Sequence, residues 1–156
     1  MSDSYTLSDL CLRLSRLIKR GTVHSVQASP PRCRVTFGTD PSTGDPHISD
    51  WLLWQACSDG ERSDWNMPAI GAPVIVFSEG GDLLNGLVMP LGIPDNHAPA
   101  GESATQHVTR FSDGAVFSYD TASHAAAITL PEGGTLNASA HGGFTFDGPV
   151  TMPDTL

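Results

Sequence analysis

Basic side chains are scarce in this chain. Its 8 Lys and Arg residues stand against 17 Asp and Glu, for a formal net charge of −9 at pH 7. An acidic surface repels phosphate backbones and anionic lipid headgroups, so no nucleic-acid binding is expected without a local basic patch. The one cluster of cations is Arg13, Arg16, Lys19 and Arg20, on a predicted helix, where a solvated face or a protein contact is the commoner reading. Cysteine is scarcer still. Cys11, Cys33 and Cys57 form an odd set of 3 whose spacing fits neither a disulfide framework nor a zinc site. Cys11 falls on the apolar side of the predicted helix, which predicts a buried, reduced thiol. No apolar run approaches membrane-spanning length and no signal peptide opens the sequence. The chain is therefore expected to be made and kept soluble in the cytoplasm.

Catalytic and metal-binding patterns are missing as well. The 6 histidines (positions 24, 47, 97, 107, 124 and 141) have no ligand-like spacing. No Gly-x-Ser-x-Gly elbow is present to make a serine nucleophile. Gly80-Gly81 lacks the Lys-Ser/Thr ending of a phosphate loop and reads as a hairpin turn. Asp40, Asp45, Asp59, Glu61 and Asp64 sit in polar loops and read as solvated. The expectation is a protein that is not an enzyme.

What is abundant is turn chemistry, with 16 Gly and 12 Pro, pointing to many short strands. One segment differs. Over residues 6–20, Leu7, Leu10, Cys11, Leu14, Leu17 and Ile18 recur at helical spacing. Thr6 with Asp9 fits a capping box, and Gly21 after Lys19 and Arg20 fits a C-terminal stop. So short a helix is marginal alone, so its stripe must dock either on its own domain or on a partner. Strands are predicted at Thr22–Gln27, Cys33–Phe37, Asp50–Gln55, Pro73–Phe77 and Leu84–Met89, and five in residues 22–94 suit a small closed barrel of the OB type. Trp51, Trp54 and Trp65 read as barrel core or subunit contact; stacking on single-stranded nucleic acid is disfavoured by the acidic composition.

Residues 95–107 read as a Pro/Ala/Gly/Ser linker. In residues 108–156, thin apolar sets alternate between glycine turns: Phe117 and Tyr119; Ala126, Ile128 and Leu130; Leu136, Ala138 and Ala140; Phe144 and Phe146; Val150 and Met152. Two or three apolar residues per strand cannot offset ordering entropy alone. Copies of the chain would supply the missing contacts, which predicts a homotrimer with Phe117, Tyr119, Ile128, Leu130, Leu136, Phe144, Phe146 and Val150 toward a shared axis.

Four stretches carry a family resemblance. They are Arg32-Cys33-Arg34-Val35; Asp50-Trp51-Leu52-Leu53-Trp54 with Trp65; Pro68 through Ile70-Gly71-Ala72-Pro73-Val74 and Gly80-Gly81-Asp82-Leu83 to Gly86-Leu87-Val88-Met89-Pro90; and Arg110-Phe111-Ser112-Asp113-Gly114-Ala115-Val116 with Tyr119-Asp120. In this order the chain resembles the baseplate assembly protein V family, the central spike of contractile-tailed phages, related to R-type pyocin spikes and more distantly to type VI secretion. The resemblance implies a mainly β protein: an N-terminal helix (1–21), an OB-fold five-stranded barrel (22–94), the linker (95–107) and an intertwined triple-stranded β-helix (108–156) in a homotrimer. It further implies a particle baseplate location, a hub protein and tail tube as partners, and piercing of the target's outer membrane on sheath contraction. Leu7, Leu10, Leu14, Leu17 and Ile18 would then face the hub or dock on the chain itself. Many relatives end in a His-x-His apex that binds iron. No His-x-His occurs here, so no cofactor or metal is expected, and either the apex is missing from this chain or a separate tip protein supplies it. The alternative from another class is an OB-fold module binding oligonucleotide or carbohydrate, with a flexible tail.

Overall fold

The computed structural model describes residues 2–93 and 98–151. The chain divides into two compact units, Met1–Ala98 and Pro99–Leu156.

The first unit opens with helix α1, Ser2–Leu17, which passes into β1, Ile18–Ala28, with no residue between. The strands that follow are β2 (Pro31–Thr39), β3 (Pro46–Ile48), β4 (Leu53–Trp54), β5 (Pro73–Ser78) and β6 (Gly86–Pro90), with 3₁₀ turns at Glu79–Gly81 and Leu83–Asn85. They form one sheet in the order β3-β2-β1-β5-β6-β4, antiparallel except where β4 pairs β6.

The helix therefore lies earlier than the predicted 6–20. Ile18, Lys19 and Arg20 are in β1, paired with Phe77, Val76 and Ile75. Gly21 is no helix stop: it sits mid-strand, where a Cβ would lie 2.5 Å from the Thr36 carbonyl oxygen and 2.5 Å from Val35 Cγ1. Thr6 and Asp9 fall inside α1 instead of capping it, and Asp9 accepts a 2.8 Å bond from Arg13 Nε. The predicted burial of Cys11 is also corrected, since its thiol is exposed.

The expected closed five-stranded barrel is not what forms. The sheet has six strands, and no ladder joins its β3 and β4 edges. The reason is local. The predicted strand Asp50–Gln55 shrinks to the two residues of β4, flanked by polar turns such as Asp59–Arg62, and β3 is only three residues long. Strands that short carry too few backbone bonds to close a cylinder.

The core is small and made by alternation. Val74, Val76 and Ser78 of β5 point inward, with Val23, Cys33, Val35, Leu52, Trp54 and Val88. Leu52 is drawn in by a two-bond bridge with Cys33, N–H to carbonyl at 2.9 and 2.8 Å.

The second unit is a three-stranded antiparallel sheet, β7 (Gln106–Arg110), β8 (Val116–Asp120) and β9 (Ala125–Thr129), in sequence order. β7 begins two residues inside the stretch read as linker. The expected β-helix is not formed. Residues 130–151 contain no strand, and Leu136, Phe144, Phe146 and Val150 lie exposed; the expected position Met152 lies outside the described residues. Each apolar set in that tail is too thin to hold an ordered strand against its entropy within one chain. Among the described residues of this unit only Ala115 is buried.

Two predictions follow the burial pattern. Leu52 is 1% exposed and its neighbour Leu53 is 51% exposed. Leu52→Ala should cost about 2–5 kcal/mol and Leu53→Ala under about 0.5 kcal/mol by urea denaturation of the isolated chain; equal costs would overturn this core. Burial also pushes the Cys33 thiol up to about 11, whereas Cys11 and Cys57 are exposed. A thiol reagent such as DTNB should modify Cys11 and Cys57 in the native chain and Cys33 only after denaturation, and three equal rates would contradict the assignment.

Candidate interaction surfaces

The outward side of the first sheet carries an apolar row that the register assembles from four separate strands. Ile18 of β1 pairs Phe77 of β5, Phe77 pairs Leu87 of β6, and Leu87 pairs Leu53 of β4. All four are exposed. Beside them run Arg20, Ile75 and Met89. Of this row the sequence reading singled out only Ile18, and on a helix. The signal was the alternation in Pro73–Ser78, but the row exists only once strand register is known.

The three tryptophans separate. Trp54 is buried, and Trp65 meets it edge-on with ring centroids 5.8 Å apart and planes at 76°. Trp51 is exposed at the surface under the Arg34 guanidinium, 5.7 Å from the ring centre. No stacking platform results.

α1 rests on its own unit, but not through the predicted stripe of Leu7, Leu10 and Leu14. At about 100° per residue, Asp9, Leu12 and Arg16 lie on the side away from Leu7, Leu10 and Leu14. It is that first side which lines the cleft against Gly80–Leu84. The backbones touch there: a Cβ on Gly81 would lie 2.6 Å from Arg13 Cα. Leu7, Leu10 and Leu14 remain exposed and Leu17 half-buried.

In the second unit, the register brings His107, Tyr119 and Ala126 into one cross-strand row and Thr109, Phe117 and Ile128 into the next, on the same side. This side is an open apolar hollow lined by His107, Phe117, Tyr119, Ala126 and Ile128. Phe111 packs edge-on to Phe117 with centroids 5.6 Å apart. The other side is partly covered by its own chain, where Arg110 donates to the Ala100 carbonyl at 3.1 Å and Glu102 N–H to Gln106 Oε1 at 3.1 Å. Leu130 is half-buried and the tail positions Leu136, Phe144, Phe146 and Val150 are exposed.

The acidic loop residues organise turns. Asp40 Oδ1 accepts from the Ser42 hydroxyl, the Ser42 N–H and the Thr43 N–H, which with His47 nearby hold its carboxyl below the usual range. Backbone N–H groups of Arg62 and Glu61 lower Asp59 likewise. Asp64 takes a two-pronged contact from Arg62 at 3.0 and 2.6 Å. Among the described residues no three His, Cys, Asp or Glu side chains gather as a metal would require. No helix among them is long and apolar enough to cross a membrane.

Among the described residues more large apolar side chains are exposed than buried, the profile of a chain whose surfaces meet other protein. Comparison with known proteins narrows the class. Residues 19–91 match the family of the type VI secretion system/phage-baseplate injector OB domain. The spike protein of Escherichia phage P2 is 30% identical over 154 residues, which span 97% of this chain and 68% of that protein. The chain belongs to the phage baseplate spike protein family. Its role is structural, in the baseplate, and not enzymatic.

The contact of α1 with its own unit depends on the absence of a side chain at Gly81, whose φ of +76° also disfavours one. Gly81→Ala should destabilise the chain by about 1–3 kcal/mol and raise amide exchange through α1. Unchanged exchange there would show that the helix is held elsewhere.

Proposed function

We propose that this chain is the central spike of a contractile tail or injection machine, working as a homotrimer that caps the tail tube through a hub protein and pierces the target's outer membrane when the sheath contracts. It would be assembled in the bacterial cytoplasm. One observation carries this reading: the second unit leaves Phe117, Tyr119 and Ile128 uncovered on one side of its sheet, with a single buried residue among those described to hold it. A two- or three-stranded sheet in water needs its apolar side packed against something, and identical copies offer identical apolar sides. Residues 22–94 would form the collar and 108–156 the forward part, joined by 95–107. Trp51 and Trp65 supply exposed aromatic area for contacts between subunits, a residue type favoured at interfaces. Leu7, Leu10, Leu14, Leu17 and Ile18 would face the hub. The energy for piercing comes from sheath contraction, so the chain needs rigidity and no active site.

Light scattering on the full chain tests this. A mass of three chains is expected at micromolar concentration, and Ile128→Asp should shift it toward one chain, because a carboxylate would be buried against its own copies. A monomeric native chain, especially one that binds oligonucleotide or carbohydrate, would replace the spike reading with that of a binding module. An intact trimer after Ile128→Asp would move the contact to another surface.

A further inference from the structure

The chain's few cations are mostly occupied. Arg13 is paired with Asp9, Arg62 with Asp64, and Arg32, Arg34 and Arg110 each donate to a backbone carbonyl. Among the described residues, Arg16, Lys19 and Arg20 have no oxygen partner. Arg20 lies in the outward row with Ile75 and Met89. Arg16 and Lys19 instead converge on one cleft of about 330 Å³, with His47 on its rim and Phe37, Ile48 and Leu83 among its walls. Lys19 Nζ sits 4.7 Å from the centre of the Phe37 ring. Arg16 and Leu83 also line the adjoining cleft of about 460 Å³ under α1.

The neighbouring carboxylates are committed elsewhere. Asp9 holds Arg13, and Asp82 accepts from Leu84 N–H and Asn85 Nδ2. Asp40, 4.0 Å from His47, is held by Ser42 and Thr43. In a protein of net charge −9, two cations without a carboxylate partner, meeting in a hollow of mixed polar and apolar lining, form a complement to a carboxylate. The surrounding negative charge opposes a long polyanion. A symmetric contact between copies through this cleft would set Arg16 and Lys19 against their own counterparts.

We propose that the cleft formed by Arg16, Lys19 and His47 where α1 becomes β1 is the docking site for an acidic segment of a different protein, seated by carboxylates on the two cations and by apolar side chains on Phe37, Ile48 and Leu83. That the partner is a protein of the same particle rests on the baseplate role; the cleft's preference for carboxylate does not.

The test is titration of the full chain with an end-blocked, dye-labelled peptide of alternating glutamate and leucine, against a twin with glutamine for glutamate. The glutamate peptide should bind about tenfold tighter and weaken as salt rises. Arg16→Glu and Lys19→Glu should each cost about fivefold, near the upper end for an exposed ion pair. Arg16→Lys and Arg110→Glu should leave binding intact, and circular dichroism confirms that each variant is folded. Equal binding of the two peptides, or indifference to both charge reversals, overturns the proposal. So does displacement by inorganic phosphate at the concentration of the peptide itself, which marks a small-anion site, or tighter binding of an oligonucleotide. These readouts are separate from light scattering, so a failed cleft and a failed spike reading can be told apart.

Discussion

The first unit depends on β1. This one strand of 11 residues pairs β5 along Ile18–Thr22 and β2 along Thr22–Ala28, with Thr22 belonging to both ladders. Its two ladders join the β2–β3 side of the sheet to the β5–β6–β4 side. Its course requires close backbone approach at Gly21, where any side chain would meet Thr36 and Val35. It also carries a register shift between Val23 and Ser25, the sort of irregularity that bends a strand and increases its twist. The two halves of β1 thereby serve the same buried set, Val23, Val35, Val74 and Val76.

That dependence explains which features were legible in the sequence. The leucine periodicity identified a helix, and the alternation in Pro73–Phe77 and Cys33–Phe37 identified two strands nearly to their ends, because those patterns record local burial. The end of the helix was not legible. Ile18 continues the helical spacing but is claimed by Phe77 across the sheet, and Gly21 mimics a helix stop while serving a tight crossing; both are tertiary facts. The closed barrel was an inference from strand count, and strand count does not reveal that β3 and β4 are too short to meet. Pro46–Ile48 has no signal in the sequence, because a three-residue strand leaves almost no periodicity in a loop rich in turn residues.

The candidate surfaces were legible in part and for a similar reason. Alternation alone puts Phe117 and Tyr119 on one side of their strand, but only register sets Ile128 beside them. The Ile18–Phe77–Leu87–Leu53 row could not be read from alternation, since its members are scattered over the sequence and joined only by register. The cation cluster was visible as residues 13–20, but the assignment of all four to one helix concealed a division of labour. Arg13 serves an internal pair, Arg20 faces outward on the sheet, and Arg16 and Lys19 share a hollow.

The direct passage from Leu17 of α1 to Ile18 of β1 has a mechanical consequence. A loop between helix and strand would act as slack, letting one be pulled or turned before the other responds. Here the helix is a handle welded to the middle strand of the sheet, braced on its flank where Arg13 abuts Gly81. A push along the helix axis is delivered at once to the hydrogen bonds on both sides of β1, which share it across the sheet as shear. The load path through the first unit is therefore short, stiff and free of hinges at its entry.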